Sequence, residues 1–128
     1  QVAVVRRMMR DLHLDDIALV VAPTVRDDDG LALSSRNAYL SAAERQSALA
    51  ISRGLRAAEA RAQAGETAAA VLESETRSVI DEEPGCELEY VSLVDADDFT
   101  PAVEAAGSCI LCVAARVGST RLIDNILI

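Results

Sequence analysis

The chain has 128 residues, about the size of one domain. Apolar residues make up 51 % of it and aromatics only 2 %. The core must therefore be built from Ala, Val, Leu and Ile, with almost no supply for a base-stacking platform. The net charge is −9 and every basic residue is Arg, which disfavours non-specific binding to nucleic acid or anionic membranes and leaves anion sites only where Arg residues converge.

The chain opens on Gln1, without an initiator Met or a signal-peptide pattern. Val2, Val5, Met8, Met9 and Leu12 recur at helical spacing, so the pattern predicts a helix over 2–14. Ile17 to Ala22 is a β-branched run of strand length, closed by Pro23. A helix followed by a buried strand reads as the tail of a parallel α/β unit. Thr24 to Tyr39 has neither period. Within it Arg26-Asp27-Asp28-Asp29-Gly30 is a turn signal, with Gly30 placed for a positive φ.

Ser41-Ala42-Ala43-Glu44 is a capping box. The helix that it opens carries an apolar stripe at Ala48, Ile51, Leu55, Ala58 and Ala62, and Gly65 suits its C-terminal stop. A second helix is expected from about residue 67 to 82, with Ala68, Val71, Leu72, Val79 and Ile80 inward, ended by Pro84-Gly85. The last third reads as β: a strand near 87–94, a loop from Asp95 to Ala106 with a helical turn after Pro101, a strand over Cys109–Ala115, a turn at Gly118-Ser119 and a strand over Arg121–Ile126. No apolar run approaches the length of a membrane span. Ile128 ends the chain inside an apolar stretch, so both ends read as cut from something longer.

Three cysteines, Cys86, Cys109 and Cys112, are an odd number without secretory context, which suggests reduced thiols in a cytoplasmic protein. Cys109 and Cys112 have CxxC spacing inside an apolar strand run. That placement puts them on opposite faces, as buried core residues rather than a redox or metal pair.

The chemistry sits in Pro23 to Ser41. Ser34, Ser35 and Arg36 form a donor cluster suited to phosphate oxygens, at the sheet edge where open α/β folds bind ligands. By themselves these residues fit a solvated loop running into a helix cap equally well. The three consecutive acids Asp27, Asp28 and Asp29 read as a solvated turn before a metal site, and no metal ligands are assigned. His13, the single His, has no partner for catalysis.

This stretch resembles the signature of the pantothenate synthetase (pantoate–β-alanine ligase) family. Pro23-Thr24-Val25-Arg26, Asp29-Gly30-Leu31-Ala32, Ser34-Ser35-Arg36-Asn37 and Tyr39-Leu40 match it in order and spacing. A second match, Thr120-Arg121-Leu122-Ile123-Asp124-Asn125, lies near the end of the chain, and Gln1 before an apolar helix fits the end of the family's Lys-Asp-x-x-Gln segment. Leu33 stands where the family usually has Met, a volume-conserving change. The family's His-x-Gly-His motif and metal-holding acids have no counterpart here.

The resemblance implies an α/β chain: the end of a Rossmann-like nucleotidyltransferase domain over residues 1–40, then a small α+β lid domain of two helices and a three-stranded antiparallel sheet over 41–128. It implies an ATP- and Mg²⁺-dependent ligase that joins pantoate to β-alanine through a pantoyl adenylate, in a cytoplasmic parent that is a homodimer. Residue by residue, Val25 and Leu33 would contact adenine, Ser34, Ser35 and Arg36 would hold phosphates as a KMSKS-like loop, and Gln1 would bind pantoate. Arg121, Asp124 and Asn125 are expected to tie the last strand to its neighbours. Two other readings stay open: a non-catalytic binding or assembly module, and another adenylate-forming nucleotidyltransferase.

Overall fold

The computed structural model describes residues 1–128. Helix α1 (Val2–Asp11) is followed by an irregular stretch and a 3₁₀ turn (Ser35–Tyr39). Helices α2 (Ala42–Gln63) and α3 (Ala69–Asp81) come next, then strands β1 (Glu87–Asp95), β2 (Cys109–Val117) and β3 (Thr120–Leu127). The strands form one antiparallel sheet in the order β1-β2-β3. Its inner face packs on α2 and α3.

Helix α2 begins and ends where local chemistry says it should. The Ser41 hydroxyl accepts the Glu44 N–H, and the Glu44 carboxylate accepts the Ser41 N–H. At the other end Gly65 has φ 101, its N–H donates to Ala62 O, and Glu66 N–H donates to Arg61 O, which satisfies the last carbonyls. Ala48, Ile51, Leu55 and Ala58 of the expected stripe are buried. Helix α3 comes close to α2 at Gly54: a Cβ there would lie 2.9 Å from the Thr76 carbonyl oxygen. Thr76, fully buried, donates its hydroxyl to Leu72 O at 3.1 Å and Gly54 O at 3.3 Å, so its burial leaves no orphan polar group.

The sheet carries one irregularity that alternation does not reveal. Pairing of β1 with β2 shifts between Leu88 and Tyr90, leaving Glu89 as the extra residue of a β-bulge. Leu88 packs against the core before the bulge; Val91 and Leu93 are buried after it. The inward parity changes at Glu89, and Glu89 is delivered to the outer end of the sheet. The β2–β3 hairpin closes through Gly118, at φ 56, and Ser119.

Four expectations are corrected. Residues 17–22 make no strand: the segment runs without a ladder and Val20 is 86 % exposed. A strand needs a neighbour to satisfy its N–H and C=O groups, and none runs beside it in this chain. Pro101 opens no helical turn. Instead Pro101 bridges Val94, Ala102 N–H donates to Leu93 O, and Ala105 N–H donates to Thr67 O, so tertiary pairing holds the loop extended. Cys109 is buried in the core, whereas Cys112, on the opposite face of β2, is only half-buried; all three cysteines are free. Helix α1 ends at Asp11 rather than Leu14, with His13 at φ 53 just beyond it.

Candidate functional site

The stretch after Pro23 folds into a small hairpin. Arg26 bridges Ala32, Leu33 N–H donates to Val25 O at 2.9 Å, and Asp27 N–H donates to Leu31 O at 2.9 Å. The turn closes with Gly30 N–H on Asp27 O at 2.8 Å, and Gly30 is buried at φ 93. An L side chain there is disfavoured because the dihedral is left-handed; the Arg56 guanidinium, 2.9 Å from where a Cβ would lie, would also have to move aside.

Two of the three acids, Asp27 and Asp29, are structural. Asp29 Oδ1 accepts the Leu31 N–H, and Arg45 of α2 grips Asp29 Oδ2 through Nε at 2.9 Å and Asp27 Oδ2 through Nη2 at 2.7 Å. The Leu31 N–H, and next Arg45, hold the Asp29 carboxyl below the ordinary carboxylate range; Asp27 and Asp29 in turn raise Arg45. Only Asp28 has no such partner, so the triplet offers no cation a set of free carboxylates. No group of three potential metal ligands occurs elsewhere.

The other side of the hairpin is pinned to β3. Arg26 forms a fork on Asp124, Nη1 to Oδ2 at 2.6 Å and Nη2 to Oδ1 at 3.0 Å. The Asp124 side chain is only 4 % exposed, and its Oδ1 also accepts the Asn125 N–H. This is the tie expected of Asp124, with a partner 98 positions away. Asn37 adds a second pin, Nδ2 to Ala32 O at 3.0 Å.

Between these pins lies the Ser34–Arg36 cluster. Ser34 caps the 3₁₀ turn by accepting the Arg36 N–H, which leaves its own O–H free to donate. Ser35 is exposed. Arg36 donates Nη1 to the Arg121 carbonyl at 3.3 Å and has no carboxylate partner. Eight of the twelve arginines do have one. Ser34, Arg36, Asn37 and Arg121 line a cavity of about 40 Å³ against β3. Val25 and Leu33, paired across the hairpin, are 65 % and 63 % exposed and do not line that cavity. Gln1 stands apart, in a separate hollow with Phe99 and the acids Asp97 and Asp98.

The comparisons with known proteins converge on one family. The family model described as pantoate-beta-alanine ligase matches residues 1–127. The chain belongs to that family. It is 47 % identical to the pantothenate synthetase of Koribacter versatilis, over all of this chain and 44 % of that protein. It is 49 % identical to the bifunctional pantoate ligase/cytidylate kinase of Gloeobacter violaceus, over all of this chain and 25 % of that protein. The crystal structure of pantothenate synthetase from Thermus thermophilus superposes with a TM-score of 0.89 at 36 % identity, over 98 % of this chain and 45 % of that one. The pantoate-beta-alanine ligase from Francisella tularensis, complexed with beta-gamma ATP and beta-alanine, superposes at 0.62 with 25 % identity, over 99 % of this chain and 39 % of that one. The chain thus spans under half the length of these pantoate-beta-alanine ligase relatives.

The sequence reading missed what supports the loop. Arg45 and Arg56 stand eleven positions apart, three helical turns, so one face of α2 presents both to the hairpin. That periodicity is present in the sequence, but nothing local says which loop it serves.

Proposed function

We propose that this chain is the C-terminal part of an ATP-dependent pantoate–β-alanine ligase. In this reading residues 1–40 end the nucleotide-binding domain and residues 41–128 form its lid. The pantoate carboxylate attacks the α-phosphorus of ATP, forming the acyl–phosphate bond as pyrophosphate leaves with the electron pair of the broken P–O bond. The β-alanine amine then attacks the acyl carbon, giving pantothenate and AMP. The reaction fits a cytoplasmic enzyme; the parent is read as a homodimer with no nucleic-acid partner. No helix here is long and apolar enough to cross a membrane.

The observation that carries this reading is the Arg36 guanidinium, without a carboxylate partner, beside the exposed residues Ser34 and Ser35, in a chain of net charge −9. An acidic protein that leaves an arginine unpaired at a pinned loop has a ready anion site. Ser34 and Ser35 donate hydrogen bonds to phosphate oxygens, and Arg36 supplies the compensating charge as negative charge moves onto the leaving pyrophosphate. Val25 and Leu33 offer apolar and backbone contact to adenine, and Gln1 offers its amide to pantoate. Mg²⁺, which shields the phosphates in such chemistry, does not fit the residues of this chain, since Arg45 engages both Asp27 and Asp29.

The test is single-turnover formation of pantoyl adenylate by the full-length enzyme. Arg36→Ala should slow it by roughly 10²–10³, about 2.7–4 kcal/mol, with its melting curve unchanged. Arg36→Lys should rescue little, because a point charge lacks the planar fork. Adenylation at a near wild-type rate would remove the loop from the phosphate site.

A further inference from the structure

The ion pairs at the tip of the hairpin run against the local preference of α2. Arg45 lies in the first turn of that helix, its N–H making the opening bond to Ser41 O, where the helix dipole disfavours a cation. The offset comes from outside the helix. Arg45 Nε and Nη2 span two carboxylates, those of Asp29 and Asp27, and all three side chains are about one-third exposed. The partners lie 16 and 18 positions before Arg45, so the clasp closes the chain into a ring that contains Leu33 and the Ser34–Arg36 turn.

Two other points hold the hairpin. Leu31 is seated in the core, and Arg26 forks onto Asp124 of β3. Two points leave one rotation, about the line that joins them, and Arg45 removes it as the third. The Ser34–Arg36 turn has ties of its own: the Ser34 cap, the Asn37 N–H on Ser34 O at 3.0 Å, the Asn37 amide on Ala32 O and Arg36 on the Arg121 carbonyl. None of these involves Arg45. The clasp therefore governs how the arms that carry Val25 and Leu33 stand against the turn, and leaves the turn itself intact.

We propose that Arg45 is a positioning residue for the nucleotide: its grip on Asp27 and Asp29 holds the Val25 and Leu33 arms at the spacing from the Ser34–Arg36 turn that lets one ATP molecule meet both. A ligand with two ends binds tightly when its two subsites are already held in register, because the ordering cost is met before it arrives. Arg45 acts through the two carboxylates and not on the phosphates. The inference rests on the reading of Val25, Leu33 and Ser34–Arg36 as the ATP site.

The experiment is calorimetric titration of the full-length enzyme with ATP and, separately, with inorganic tripolyphosphate, which has the phosphate chain and no base. The variants are Arg45→Met, Arg45→Lys, Asp27→Asn and the pair Arg45→Met with Asp27→Asn. The control is Arg61→Met, which loses its ion pair with Glu75 on the same helix. Arg45→Met should weaken ATP by roughly tenfold and tripolyphosphate by less than about threefold. Arg45→Lys should recover part of the loss, since an ammonium lacks the fork that spans two carboxylates. Asp27→Asn should weaken ATP by about threefold alone and add nothing to Arg45→Met, because the two act as one unit. Arg61→Met should bind both ligands like wild type. Equal losses of ATP and tripolyphosphate in Arg45→Met would overturn the proposal, because Arg45 would then be a phosphate ligand or a fold element only. Tighter tripolyphosphate binding by Asp27→Asn would overturn it too, as the sign of a guanidinium released onto the phosphates. Should Arg45→Met melt below the assay temperature, the ratio of ATP to tripolyphosphate affinity in Asp27→Asn decides. If the wild type forms adenylate and Arg45→Met binds ATP unchanged, this inference fails and the ligase reading stands. If ATP binding depends on Arg45 as above and no adenylate forms with pantoate, the ligase reading fails and the positioning role stands.

Discussion

The first helix and the helix–sheet layer after it are both rich in apolar residues, yet they use them oppositely. In α2, α3 and the sheet, Leu55, Leu72, Ile80, Leu93 and Leu111 are wholly or almost wholly buried in one core. In α1 no residue is buried, and Val4 is 71 % exposed. Periodicity alone makes α1 recognisable, but periodicity only says that a face wants covering. A ten-residue helix is marginal without packing. Its one long-range side-chain anchor is Arg6, which donates to Ala96 O and Asp97 Oδ1 at 2.8 Å each. The Ser34–Arg36 loop lies between these extremes: its side chains are exposed, but the hairpin that leads into it is tied by side-chain ion pairs, to α2 through Arg45 and to β3 through Arg26.

The sharpest way to break this contrast is a pair of truncations. Leu111→Ala, at a fully buried position in the central strand, should cost about 3–4 kcal/mol through lost transfer energy and the cavity left behind. Val4→Ala should stay within about 0.5 kcal/mol. Denaturant melts of both variants decide it; a Val4 cost near that of Leu111 would mean α1 is buried in the working protein.

The tie between loop and sheet is next in size. Asp124→Ala leaves Arg26 with only the Gly30 and Asn125 carbonyls and without its carboxylate, and should cost about 2–3 kcal/mol. That is below the roughly 3–5 of a fully buried pair, because the Arg26 side chain keeps 21 % exposure. Replacing the pair together, Arg26→Met with Asp124→Leu, should recover part of the loss. Chemical denaturation of the three variants gives the coupling directly.

The smallest effect expected is a modest pH dependence, to which Glu44 at the start of α2 and Asp98 beside Thr100, both also held low, contribute alongside Asp29 and Glu89. The Leu31 N–H and Arg45 hold Asp29 low, and Arg121, then Arg116, hold Glu89 low. A carboxyl depressed on folding stabilises the native state above its unfolded value, about 4, and loses that contribution as pH falls through its folded value. The melting temperature should therefore drop modestly between about pH 5 and pH 3. The Leu31 and Arg121 NMR signals should titrate with that loss, and Arg45→Met should reduce the part due to Asp29. An unchanged pH dependence in Arg45→Met would show that the Asp29 ion pair stabilises nothing.

What the sequence by itself determined is local. Ser41 and Glu44 mark the start of α2, Gly65 its end, Gly118 the last hairpin and Gly30 the turn of the loop, because each signal acts across a few residues through one backbone group. The Ser34–Arg36 cluster is legible for the same reason, as adjacent donors of matching type. Tertiary structure decided the rest. Only packing shows that Glu89 bulges and swaps the inward parity of β1, that Arg26 reaches Asp124 across almost the whole chain, and that Arg45 and Arg56 serve the Asp27–Gly30 turn. The run 17–22 has the composition of a strand and stays irregular, since strand formation depends on a neighbour's hydrogen bonds and composition cannot provide that neighbour. The same holds for Arg121: its place beside Arg36 comes from the docking of β3 against the loop, a contact between residues 85 positions apart.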